Sequence, residues 1–118
     1  MNKTIKELWI KELESDNYKH GTFKLKQEIG SQTRHCCLGV LCEVHRKLKK
    51  KGESVWERHQ VEEHDMSAFY HYKNRGSALH EDLLEWAELD SNQQWDLVAI
   101  NDNSRDYSRQ IKFIKEKL

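Results

Sequence analysis

One uninterrupted apolar stretch constrains this chain more than anything else in it: Cys36-Cys37-Leu38-Gly39-Val40-Leu41-Cys42, followed by Glu43 and Val44. Around it 34% of the 118 residues are charged and only 36% are hydrophobic. A chain this polar has few places where it can bury surface, so the stretch must lie at the centre of whatever core forms. All three cysteines fall inside it.

The length predicts one domain spanning residues 1–118, large enough for a modest single core. Twenty basic and twenty acidic residues cancel. A general nucleic-acid binder carries a basic excess that displaces phosphate counterions, so general nucleic-acid binding is not expected. The N-terminus reads as an amphipathic segment rather than a signal peptide. No apolar run approaches the roughly 18 residues of a membrane span. An odd, clustered set of three cysteines does not make a secreted disulfide framework, and the expectation is a cytoplasmic protein with reduced thiols.

Periodicity predicts an α+β domain, predominantly helical, with about five helices and one or two short β-hairpins. Thr4 and Glu7 read as a capping box opening a helix over 4–15 that carries Ile5, Leu8, Trp9 and Leu13. Phe23, Leu25 and Gln27 alternate with lysines between Gly21 and Gly30, which predicts a hairpin within 18–33. The cysteine stretch opens a second helix with Cys37, Leu41, Val44 and Leu48 on one face. Gly39 inside it costs about 1 kcal/mol relative to Ala, so a close neighbour must need its missing side chain. That helix ends in Lys47 to Lys51 and Gly52. Ser54–Val61 and Met66–Tyr72 form a second hairpin or a polar functional loop, closed by a turn at Asn74-Arg75-Gly76. Three helices follow, capped by Ser77, by a box opening at Ser91, and by Asp106. Trp9, Trp86 and Trp95 are expected in the core.

No catalytic constellation stands out. Cys36, Cys37 and Cys42 with His35 or His45 lack the paired knuckles of a zinc site, and small buried hydrophobes are the better reading. Cys36 and Cys37 lie near a helix N-terminus, where the dipole lowers a thiol pKa, but no base or orienting acid is indicated. His59, His64, His71 and His80 match no ligand motif and read as scattered surface residues, or as donors to an anion. Residues 101–106 lack the glycine and glutamate of a calcium loop and read as a helix–helix turn with capping side chains. Arg34, Arg46, Lys47, Lys49, Lys50 and Lys51 form the main cationic concentration, either a solvated helix end or a phosphate contact.

The Cys36–Cys42 block, with Trp9, Leu13, Ser15, Tyr18 and Leu25 before it and Leu83, Trp86, Leu89, Asn101-Asp102, Tyr107 and Ile114 after it, resembles a family of small uncharacterised bacteriophage and prophage proteins. Asn17 stands where that family's frame has glycine. The resemblance implies a viral origin and a role in the phage–host encounter, inside the host cytoplasm, and supplies no activity. The expectation is therefore a non-enzymatic binding protein without metal or other cofactor: a counter-defence sponge for a nucleotide-type immune signal. Arg58, Tyr70, Tyr72, Lys73 and Arg75 would be its ligand-binding residues. The alternatives are inhibition of a host protein through an aromatic patch, and a metal- or thiol-dependent enzyme. A homo-oligomer stays open.

Overall fold

A computed structural model of the chain describes residues 1–49, 56–63 and 66–118. In chain order its elements are α1 (Lys3–Glu14), β1 (Lys19–His20), β2 (Lys26–Ile29), β3 (Gln32–His35), α2 (Cys37–Leu48), β4 (Trp56–Glu63), β5 (Met66–Tyr72), α3 (Glu81–Ala87), α4 (Ser91–Asp102) and α5 (Ser108–Lys117). This is the helix-dominated α+β class the periodicity predicts. Lys50, Lys51, Gly52, Ser54 and His64 of the sequence analysis lie outside the described residues.

The apolar stretch is the centre of the fold. Nine consecutive residues of α2, Cys37 to His45, are buried, as in a helix enclosed on every side rather than lying on a surface. The stripe ends one turn early, because Leu48 is 52% exposed. α1 packs Ile5, Trp9 and Leu13 inward at four-residue spacing, and Trp9 donates its indole N–H to the Cys37 carbonyl at 2.9 Å. Gly39 has the close neighbour its sequence cost implied: a Cβ there would lie 1.8 Å from the Leu25 carbonyl oxygen.

The strands form one sheet in the order β1-β3-β2-β5-β4. β1 runs parallel to β3, and the other neighbours are antiparallel. The first hairpin is shorter than the alternation suggested. Asp102 Oδ1 accepts the Phe23 amide at 2.9 Å and Phe23 takes φ 68°, so regular pairing starts only at Lys26. Leu25 turns into the core under Gly39. The second hairpin pairs Trp56 with Tyr72 and Arg58 with Tyr70. The described part of residues 53–76 is thus strand and turn rather than a polar loop. Trp56 and Tyr72 face α2, where Trp56 Nε1 reaches Glu43 at 3.0 Å and the Tyr72 hydroxyl hydrogen-bonds His45 Nδ1 at 2.8 Å.

The helix starts shift. Asn2, not Thr4, caps α1; His80, not Ser77, caps α3; and Asp90 with Gln93 forms the box predicted at Ser91. Tyr107 holds the cap position of α5 while Asp106 Oδ1 takes the Ser108 amide. Neighbouring acceptors are near-equivalent caps, and spacing alone does not choose between them.

α4 inverts its expected face. Its buried stripe is Gln94, Leu97 and Asn101, whereas Trp95 is 55% exposed. The two amides are buried because each has specific partners: Gln94 Oε1 accepts from the Leu79 amide at 2.7 Å, and Asn101 joins three elements as described below. Trp86, expected in the core, is only partly buried. No helix among the described residues is long and apolar enough to cross a membrane.

Candidate functional site

The five residues predicted to bind a ligand fall into two groups, Arg58 with Tyr70 and Tyr72 with Lys73 and Arg75, each already engaged within the fold. Arg58 and Tyr70 are cross-strand neighbours that share one acid: Arg58 Nε and the Tyr70 hydroxyl both donate to Glu28 Oε2, at 2.7 and 2.6 Å. Those donors, Arg58 first, hold the Glu28 carboxyl below its usual range. Tyr72 is 1% exposed and is a core residue, which removes it from any stacking role at the surface. Lys73 lies 3.8 Å from Asp82 and Arg75 lies 3.7 Å from Glu81, both acids in the first turn of α3. The turn predicted at Asn74-Arg75-Gly76 falls one residue earlier, at Lys73 and Asn74, with left-handed backbone at both.

Elsewhere, a cleft of about 670 Å³ separates the end of α1 from β1, β3 and the start of α5. Lys19, Arg34 and Arg105 line it, with Tyr18 and His20. None of the five predicted residues does. Arg34 is held in place by donating Nη1 to the His20 carbonyl at 3.1 Å and Nη2 to Gln32 Oε1 at 2.7 Å. Its Nε is buried with no hydrogen-bond partner among the described residues. Glu14, Asp16 and Asp106 also line the cleft. Two of these are engaged: Glu14 with Lys115 at 3.3 Å, and Asp106 with the hydroxyl and amide of Ser108, which lower its carboxyl pKa. Burial lowers the His20 imidazole, against a raising contribution from its bond to the Asn101 carbonyl, so His20 favours the neutral form at pH 7. Arg34 had been grouped with the lysine run after α2. Its place in β3 carries it to the far side of that strand from His35.

Asn101-Asp102 is the hub that positions this region. Asn101 Oδ1 accepts from the Cys37 amide, which opens α2, and from Gln110 Nε2 of α5, both at 3.0 Å. Its Nδ2 donates to the Gly21 carbonyl at 2.8 Å. One side chain therefore ties the central helix, the β1–β2 connection and the last helix together. The capping role read from the sequence is real, and its reach is long-range.

The thiols are chemically quiet. Cys36 Sγ accepts the Gly39 amide at 3.4 Å, so it caps α2. Burial nevertheless pushes the Cys36 thiol up to about 12 and raises Cys37 and Cys42 as well. Desolvation outweighs the helix dipole, and a thiolate nucleophile or ligand is disfavoured. Near them Glu43 is buried and ionised. Burial alone would raise its carboxyl, but His35, Trp56 and Arg46 outweigh that and hold it well below the usual range. Trp56 and Arg46 have hydrogen-bond geometry at 3.0 and 2.8 Å. His35 Nε2 lies 3.5 Å from Glu43 Oε2, without hydrogen-bond geometry.

A third grouping was not legible in the sequence. On the outer face of the second hairpin Glu57, His59 and His71 place one donor atom each within 4.8 Å of one another. Strand alternation puts Glu57 and His59 on one side, and the register sets His71 directly opposite Glu57. Desolvation first, then the neighbouring His59, lowers the His71 pKa. The signal was the spacing of two residues between 57 and 59, which becomes informative only once the register with 71 is known.

No curated protein and no solved structure matches the chain. A family model does match it, over residues 1–118, and the chain belongs to that family, the domain of unknown function DUF8296.

Proposed function

We propose that the protein is a non-enzymatic binding domain that takes a nucleotide-type anion in the cleft between α1, β1, β3 and α5. The observation that carries this reading is the trio Lys19, Arg34 and Arg105: it lines a cleft of ligand size, and none of the three has an acidic partner among the described residues. Arg58, Lys73 and Arg75, by contrast, already sit against Glu28, Asp82 and Glu81. Arg34 offers a pre-oriented guanidinium for phosphate, and the start of α5 adds the positive end of a helix dipole. Tyr18 supplies a ring at the edge for a base. The buried, high-pKa thiols favour binding over thiol chemistry. The resemblance of the Cys36–Cys42 block to phage proteins supports reading the ligand as a host immune signal and the protein as its sponge.

The test is native mass spectrometry and calorimetry against mononucleotides and cyclic di- and trinucleotides. Wild type should retain one member of the panel, and Arg105→Ala and Arg34→Ala should each weaken it by at least about tenfold, the loss of one charged hydrogen bond. No binding by wild type, or wild-type binding by the exposed Arg105→Ala variant, refutes the reading.

One observation favours inhibition of a host protein as a second reading. Phe23 is 67% exposed and Trp95 is 55% exposed, and Trp95 lies one turn of α4 from Val98, which lines a small crevice with Phe23. Aromatic side chains held outward suit a protein partner. Capture of one host protein by wild type and by Arg105→Ala, lost in a Phe23→Ala/Trp95→Ala variant, would select this reading over the sponge.

A further inference from the structure

We infer that Glu57, His59 and His71 form a divalent-metal site of the zinc class on the outer face of the β4–β5 hairpin. Two imidazoles and a carboxylate are a donor set that suits zinc and its first-row neighbours. The geometry is close to what an ion needs. Ligand atoms about 2.1 Å from a tetrahedral metal lie about 3.4 Å apart; here all three lie within 4.8 Å, and His59 Nε2 is 2.9 Å from Glu57 Oε1. The widest separation exceeds that spacing by about 1.4 Å at most.

The rings are also held. His59 stacks on Phe69 with centroids 5.2 Å apart and planes 14° from parallel. His71 packs against His59 at 4.3 Å. On its other side it abuts Gly76, where a Cβ would come within 2.8 Å of the ring. These ring contacts restrict how far each imidazole can turn. A His59–Glu57 pair alone would be an ordinary surface contact; the third donor, delivered by strand register, is what makes a binding set. Lys24, 4.6 Å from the Phe69 ring centroid, is a like charge that weakens the site. Three protein ligands leave a coordination position open for water or an anion. The thiols take no part, and the site shares no residue with the cleft. This assignment departs from the metal-free expectation at this one place.

The test uses the full chain stripped with chelator, titrated with zinc by calorimetry and with cobalt(II) by visible spectroscopy. One equivalent should bind, with a cobalt d–d band marking nitrogen and oxygen ligands and no thiolate charge-transfer band. His71→Ala and His59→Ala should weaken binding by more than the roughly 10–100-fold that loss of an outer-shell contact costs. His80→Asn removes a histidine outside the cluster and preserves its capping role, and it should bind as wild type. Should a histidine variant fold poorly by circular dichroism, Glu57→Gln, exposed and remote from the core, serves in its place. Wild-type affinity no better than that of His71→Ala, or an equal loss in His80→Asn, would overturn the assignment.

Discussion

Gly39→Ala sets two physical arguments against each other. Helix propensity says the change stabilises by about 1 kcal/mol, since glycine in a helix interior is replaced by the best helix former. Packing says the opposite. The new methyl would sit 1.8 Å from the Leu25 carbonyl oxygen and 2.7 Å from its carbon. The obstacle is backbone, so no side-chain rotation relieves it, and Leu25 must retreat by more than ~1 Å to reach even a tight contact. Retreat strains two further features: the Cys36 amide bond to that same carbonyl, 3.2 Å, and the fully buried Leu25 side chain. Overpacking costs about 1–3 kcal/mol and a compromised buried hydrogen bond about 1–1.5. Set against the gain in propensity, the net is a destabilisation of about 1–3.5 kcal/mol, or roughly 10 °C in melting temperature near the middle of that range for a domain of this size. Urea denaturation followed by circular dichroism measures it directly. A variant as stable as wild type, or more so, would show that α2 does not press on Leu25 as described.

Two more perturbations probe the polar part of the core. Asn101→Asp keeps shape and both acceptor roles, but places a carboxylate against the Gly21 carbonyl where an amide N–H now donates; it should cost about 3 kcal/mol in urea denaturation, and a change under about 0.5 would remove Asn101 as the hub. Glu43 has a depressed pKa in the folded state, so its stabilisation is complete above the unfolded value of about 4.3 and is lost as pH falls through the folded one. Glu43→Gln should therefore lower stability at pH 7 by about 1.5–3 kcal/mol and flatten the decline of stability below about pH 4; parallel acid limbs in the two proteins would contradict this.

Much of the fold was legible because it follows from period. Helical spacing located α1, α2 and α5, and the two-residue period located the first hairpin; the second, open between hairpin and polar loop in the sequence, is settled by the pairing of β4 with β5. The errors share a cause. The sequence was read as if apolar meant inside, yet α4 buries Gln94 and Asn101 while Trp95 stands out. Amides go inside when the chain supplies matched donors and acceptors, and those partners, Leu79, Gly21, Cys37 and Gln110, lie 9 to 80 residues away. The same limit hid the candidate sites. Arg34 and Arg105 become neighbours of one cleft only when β3 and the α4–α5 turn are set side by side. Glu57 and His71 become partners only through strand register.

In a chain with twenty acids and twenty bases, some cations nevertheless have no acidic partner among the described residues, because the acids are spent unevenly. Glu43 serves Trp56 and Arg46; Glu28 serves Arg58 and Tyr70; Asp102 and Asp106 accept backbone amides rather than meeting cations. Each acid used to fix the fold is unavailable to neutralise a base elsewhere, and Lys19, Arg34 and Arg105 collect around one cleft. Net charge governs the long-range field and hence general affinity for a polyanion. A single bound phosphate responds instead to the few donors within hydrogen-bonding distance. A neutral isoelectric point therefore argues against a nucleic-acid surface and leaves a small-anion site fully open, and the salt dependence of binding separates the two. Ligand affinity should fall only gently with added salt, in proportion to about three cations rather than to the six or more phosphate contacts of a polyanion binder.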